Sequence, residues 1–261
     1  MRKLLNKNLD ELKKEDIVKI KLVCFDCDGV TVEKGTEIIK ETEREIIVTK
    51  QISSGLVEKI KELSKYFQIS FSSGRSMLYL KKMYGRVLGK GVSLQSEIGL
   101  FSLVKGELKQ NFVLSDYELG VIKKIRDDLE KLENEKIKGF EPKLFLITLH
   151  SWGVIEEVEQ IVRKYDYKNE FYCWWNEEAY DIAPKRINKG SALKKLGERL
   201  GIKVEEMMTV GNGINDKNMI EQVGVGVSTD GLHLEADFVV EGEHLGGEMV
   251  VDKLLELVEG A

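Results

Sequence analysis

The sequence predicts an α/β protein, a parallel-sheet core interrupted by an inserted α+β unit. Three observations predict it. At both ends of the chain, short apolar runs that finish in polar residues alternate with segments of helical spacing, the rhythm of a parallel sheet. The middle breaks that rhythm with a long charged helix and aromatic strands. The chain has 261 residues, enough for one large or two modest domains with real cores.

The elements follow in order. Leu22 to Asp26 is a buried parallel strand running into Asp26 and Asp28. Ser54 to Tyr66 has Leu56, Ile60 and Leu63 on one helical face. "FQISFSSGRS" is a second strand ending in small polar residues, and "SMLYLKKMYGRVL" a second helix. The inserted unit then contributes a hairpin strand, "ELKQNFVL", and a helix from Asp116 to Glu135. The strand "PKLFLITLH", the helix "VIEEVEQIVRKY" and the strand "FYCWWNEEAYDIAP" complete it. "NKGSALKKLGERLGI" resumes the core as a helix capped by Asn188 and stopped by Gly201. "MMTVGNGINDKNMI" is strand, tight loop and helix start; "VGVGVS" and "ADFVV" are strands, and "GEMVVDKLLELV" is the closing helix. The expected division is an N-terminal, partly helical extension over 1–18, core over 19–80, the inserted unit over 81–184, and core again over 185–261.

Composition narrows the function. Hydrophobic residues are 42% and charged residues 33%, as in a folded soluble protein. Forty Lys and Arg against 45 Asp and Glu leave a net charge of -5, so neither nucleic acid nor an anionic membrane is expected as a partner. No apolar run is long enough to span a bilayer, and the first 20 residues lack a signal-peptide core. Three cysteines point to a reducing compartment, the cytoplasm. Cys24 and Cys27 are three apart on a strand, face opposite ways, and read as packing residues. A monomer or homodimer is expected.

Ligands of parallel α/β sheets sit at the carboxyl ends of the strands. Four such ends carry polar groups here: Asp26 with Asp28, Ser73-Gly74-Arg75, the loop before Lys189, and Gly211 to Asp216. Two carboxylates with a third oxygen ligand suit Mg2+, which offsets their repulsion. The Ser73 hydroxyl and Lys189 ammonium suit phosphate oxygens. One aspartate can act as a covalent nucleophile and a second can shuttle the leaving-group proton.

"FDCDGV", "SSGR", the Lys189 of "NKG" and "GNGIND" stand in the order and approximate spacing of the haloacid dehalogenase-like hydrolases, and from about residue 22 onward the chain resembles that family. The insert between the second and third motifs is similar to the C2 cap of the Cof-type, class IIB members, on a Rossmann-like core. The resemblance implies a Mg2+-dependent phosphatase acting through an aspartyl phosphate. Asp26 would be nucleophile and metal ligand, and Asp28 general acid/base and metal ligand through its carbonyl. Ser73 and Gly74 would bind phosphate, and Lys189 would steady phosphate and nucleophile. Asn215 and Asp216 would complete the pair that serves substrate, metal and lysine.

The chain departs from the family pattern at three places. Asn212 stands where a metal-binding aspartate is usual, Ile98 of "SEIGL" where an asparagine is usual, and Val30 where a threonine is common. The expected substrate is a small phosphorylated metabolite, a sugar phosphate or a phosphorylated organic acid. Phosphotransferase or mutase chemistry and a catalytically weak binding role are the alternatives, the latter motivated by Asn212 and Ile98. Trp174, Trp175 and Tyr180 read as the core of a small sheet. Lys143, His150, Glu177 and Arg186 are minor specificity candidates, and the charges over 123–138 read as a solvated face.

Overall fold

The strand Leu22–Asp26 is buried along its whole length. Its alternation feeds two cores at once: Val23 and Phe25 pack into one apolar cluster, Leu22 and Cys24 into another on the opposite face. The computed structural model describes residues 4–40, 45–241 and 245–260, so residues 1–3 of the expected extension and short parts of both core segments lie outside the described residues. Cys27 joins the cluster opposite to that of Cys24, so the two thiols sit on different faces, both buried.

This strand stands in the middle of a nine-stranded sheet. In spatial order the strands are Lys7–Asn8, Phe238–Val239, Val225–Ser228, Met207–Gly211, Leu22–Asp26, Gln68–Ser72, Val92–Ser96, Phe101–Val104 and Glu107–Gln110. The first seven run parallel; the last two are antiparallel. Helices Ser54–Leu63, Met77–Tyr84 and Gly246–Glu259 cover one face, and Lys189–Leu200 with Lys217–Ile220 the other. Burial on both faces explains the continuous apolar runs in the sequence.

The inserted unit begins later than expected. Residue 81 falls inside the helix Met77–Tyr84, and three more strands then extend the core sheet. Val92–Ser96 pairs parallel with Gln68–Ser72, and Glu107–Gln110 turns back on Phe101–Val104 across Lys105 and Gly106, both at positive φ. The segment read as a hairpin strand of the insert therefore belongs to the core edge. The insert proper is αββαββ: helix Asp116–Leu129, strands Ile137–Phe140 and Ile147–Ser151, helix Glu156–Tyr165, strands Phe171–Trp175 and Ala179–Pro184. Its four strands make one antiparallel sheet, and the single strand expected over 171–184 is two, joined by a turn with Glu177 at positive φ.

The amino-terminal segment is also core. Lys7–Asn8 pairs with Phe238–Val239, and Leu9, Leu12 and Ile17 are buried. The expected helical character survives in two short turns, Leu9–Glu11 and Lys14–Ile17. A hairpin, Thr36–Lys40 with Glu45–Thr49, had no counterpart among the expected elements.

Candidate active site

Strand pairing brings the expected polar ends together. Asp26 ends its strand opposite Ser72, one residue before Ser73, while Met207–Gly211 flanks it on the other side. Lys189 begins its helix at a side-chain cap: Asn188 accepts from the Ser191 amide at 2.9 Å. The Lys189 ammonium then reaches inward, 2.5 Å from Asp26 Oδ1 and 2.6 Å from Asp216 Oδ1. All three side chains are buried.

One ammonium faces two carboxylates, which leaves excess negative charge at the base of the site. Burial and the Asp216 charge push Asp26 up to about 7 against the opposing pull of Lys189. Burial works against the Lys189 charge, but Asp216 and Asp26 outweigh it and hold its pKa above the ordinary lysine range. Removing the lysine would leave two buried carboxylates unpaired, a loss of about 3–5 kcal/mol.

Asp28 lies at the rim, gripped by Arg75 in a fork: Nε is 2.9 Å from Oδ2 and Nη2 2.7 Å from Oδ1. Arg75 stood within the "SSGR" motif without an assigned role. Gly29 follows at φ +77, and a Cβ there would stand 2.5 Å from the Asn212 amide nitrogen, so the turn after Asp28 requires glycine. Ser73 Oγ accepts from the Arg75 amide at 3.2 Å, which leaves its hydroxyl proton available to a ligand. Gly74 is half-buried between Ser73 and Arg75.

The "GNGIND" loop divides the expected metal ligands. Asp216 is fully engaged: one oxygen accepts from Lys189, the other from the amides of Asn212 (2.9 Å) and Gly213 (3.1 Å). It holds the lysine and the loop. Asn215 is exposed on the same turn rather than drawn into the buried cluster. Asn212 donates its Nδ2 to the Asp28 carbonyl at 3.1 Å. Among the described residues no three His, Cys, Asp or Glu side chains gather as a metal site. Beside Asp216, the oxygen donors of the expected set are the Asp26 carboxylate, the Asp28 carbonyl and the Asn212 amide oxygen. They are hard ligands and the pocket beneath them is negative, so they fit Mg2+.

The insert acts as a lid over these groups. Glu97, at φ +49, accepts from the amides of Leu144 (2.8 Å), Phe145 (3.1 Å) and Leu146 (3.1 Å), tying core to insert. Ile98 packs with the apolar cluster of the insert. Glu141 accepts from the Ser76 amide at 3.1 Å. Burial would raise Glu141, but Lys143, His150 and Arg75 outweigh it and hold it at about 2. Glu141 carried no sequence signal, and Glu97 only its place within "SEIGL".

The minor candidates separate. Tyr180 and Trp175 lie on the helix-packed face: Tyr180 accepts from the Ile155 amide at 2.6 Å, and Trp175 donates to Ser151 at 3.1 Å. Trp174 faces the other way, paired across from Asp181. Arg186 forks onto Glu118 (2.6 and 2.7 Å) and is structural. Lys143 and His150 are buried beneath the insert, and Glu177 sits in its turn. The helix charges over 123–138 include exposed pairs such as Lys123 with Asp127.

Comparison with known proteins gives a family match and shared folds. A family model described as haloacid dehalogenase-like hydrolase matches residues 13–241. A phosphoglycolate phosphatase of Methanopyrus kandleri is 33% identical over 109 residues, 40% of this chain and 46% of that protein. The chain thus spans under half the length of the first relatives it matches. A phosphoglycolate phosphatase of Staphylothermus marinus is 24% identical over 258 residues, 91% of this chain and 98% of that protein. The C-terminal domain of Candida albicans trehalose-6-phosphate phosphatase superposes with a TM-score of 0.70 at 18% identity, covering 99% of both chains, which shows a shared fold.

Proposed function

The chain belongs to the haloacid dehalogenase-like hydrolases, and from that premise we propose that it is a Mg2+-dependent phosphatase of a small phosphorylated metabolite. The observation that carries the reading is the buried Asp26–Lys189–Asp216 cluster with Asp28 at its rim, set at the carboxyl ends of adjacent parallel strands. The phosphatase titles of the Methanopyrus and Staphylothermus relatives support it.

In this reading Asp26 Oδ attacks phosphorus and the bond to the ester oxygen breaks. Asp28 gives its proton to that oxygen as the alcohol leaves. Asp28 then takes a proton from water as its oxygen attacks phosphorus, which releases Asp26 and inorganic phosphate. Lys189 holds Asp26 in place and meets a phosphoryl oxygen, and Ser73 donates to another. Arg75 orients Asp28. Asp26, the Asp28 carbonyl and Asn212 would hold Mg2+, which would supply neutralisation of the negative charge in the site. The lid excludes bulk water, which favours transfer to the intended acceptor.

The test is phosphate release from a panel of phosphorylated metabolites with Mg2+, alongside Asp26→Asn. The expected result is release by the native chain, a drop of about 10^4-fold or more in the variant, and loss on chelation that Mg2+ restores. Equal release by Asp26→Asn would overturn the covalent route. Transfer of the phosphoryl group to a sugar hydroxyl in place of water would reassign the chain to phosphotransfer. No release from any compound would favour the binding role that Asn212 suggests.

A further inference from the structure

The turn that carries Asp28 is held from within by two hydroxyl groups. Tyr84 ends the helix Met77–Tyr84, Thr31 lies two residues past Gly29, and both are buried. Tyr84 belongs to an apolar cluster with Phe25, Cys27, Val30 and Phe71. Three of its rings form a ladder, with Phe25 and Phe71 centroids 6.0 Å apart and Phe71 and Tyr84 centroids 4.0 Å apart. A phenylalanine would complete that ladder equally well, so packing does not call for the phenol oxygen. A hydroxyl buried there costs free energy unless it is bonded.

Both hydroxyls are spent on the backbone of the turn. Tyr84 Oη lies 2.7 Å from Thr31 Oγ1, and Thr31 Oγ1 lies 3.1 Å from the Asp26 carbonyl oxygen and 3.4 Å from that of Cys27. A carbonyl can only accept. The Thr31 proton therefore goes to the backbone, and the Tyr84 hydroxyl donates to Thr31. The rest of the turn closes around the same point. The amides of Val30, Thr31 and Val32 donate to the Cys27 carbonyl at 3.2, 2.9 and 3.0 Å, and the Gly247 amide of the closing helix donates to the Val30 carbonyl at 3.0 Å.

The bond to Asp26 falls where it matters. Asp26 and Asp28 are two residues apart, so the backbone between them sets their relative placement. The Asp26 carbonyl belongs to the first peptide of that stretch. In-line attack by one carboxylate and proton transfer by the other need that placement held closely. We propose that Tyr84 and Thr31 are positioning residues: Tyr84 orients the Thr31 hydroxyl, which fixes the peptide after Asp26 and so sets nucleophile against acid/base. Both side chains are too buried to touch substrate. This rests on the phosphatase reading above and goes beyond it.

The test compares the native chain with Tyr84→Phe, Thr31→Val and the double variant, each of which keeps the side-chain shape and removes hydroxyl groups. The probes are phenyl phosphate and p-nitrophenyl phosphate with Mg2+. The expected result on phenyl phosphate is a fall in kcat of about tenfold in each single variant, with KM within about twofold of the native value. The fall should be smaller on p-nitrophenyl phosphate, whose leaving oxygen needs less help from an acid. The ratio of the two esters is taken within one preparation, so partial misfolding does not alter it. The double variant should fall no further than the worse single one, because both hydroxyls act through one contact. Thr31→Ser, which keeps the hydroxyl, should retain most of the native kcat. An unchanged kcat in Tyr84→Phe, equal losses on the two esters, or losses that multiply in the double variant would overturn the assignment, while release by the native chain leaves the phosphatase reading standing. No release from either ester by the native chain overturns both.

Discussion

Single side chains set the charge of this site. Most haloacid dehalogenase-like motifs place a second carboxylate where Asn212 stands, and here an amide rests on the Asp28 carbonyl instead. A neutral oxygen binds a hard cation more weakly than a carboxylate. Asn212→Asp should therefore tighten Mg2+ binding by about tenfold, equivalent to about 1.4 kcal/mol, read by titration calorimetry on the substrate-free protein. An unchanged affinity would place Asn212 outside the metal shell. Asp26, Asp28, Ser73 and Lys189 were legible in the sequence because motif spacing reports strand ends directly. Asp216 was legible as a partner of the lysine, but its grip on the loop was not. Only the folded loop shows its second oxygen taken by two backbone amides.

Elements join through few but specific contacts. The lid is fixed to the core by Glu97, one carboxylate serving three amides of the 144–146 segment. Its backbone, with those of Ile98 and Gly99, lies at positive φ, so the chain bends sharply there to aim the carboxylate. Glu97→Ala leaves those donors unpaired, at a cost of about 3 kcal/mol, and hydrogen exchange at 144–146 should accelerate; Glu97→Gln, which keeps one acceptor oxygen, should recover part of the protection. Exchange unchanged in Glu97→Ala would show that apolar contacts such as Ile98 hold the seam alone. Helices were easier to read than their partners. The Lys189–Leu200 helix carries its own Asn188 cap and Gly201 stop in the αL conformation, whereas nothing local distinguishes a core-edge hairpin from a lid hairpin.

At the scale of the molecule, the core sheet is wider than local patterns suggest, closing at one edge on the strand Lys7–Asn8. The first turns bury Leu9, Leu12 and Ile17 against the body of the protein. Deletion of residues 1–18 should cost on the order of 5 kcal/mol at about 1.5–3 kcal/mol per buried side chain, and urea denaturation measures it. A deletion variant as stable as the full chain would make the segment an ornament rather than part of the core.

By itself the sequence determined the α/β class, the order of the motifs and the identity of the charged groups, because buried parallel strands, helix caps and motif spacing are written in neighbouring residues. The tertiary structure alone decided where the lid begins, that Arg75 grips Asp28, and that Asp181, Glu141 and His150 stand over the catalytic turn. Those contacts join residues 47 to 107 positions apart in the chain, such as Asp28 with Arg75 and Gly74 with Asp181. No local periodicity encodes them; they follow from how one sheet is laid over the end of another.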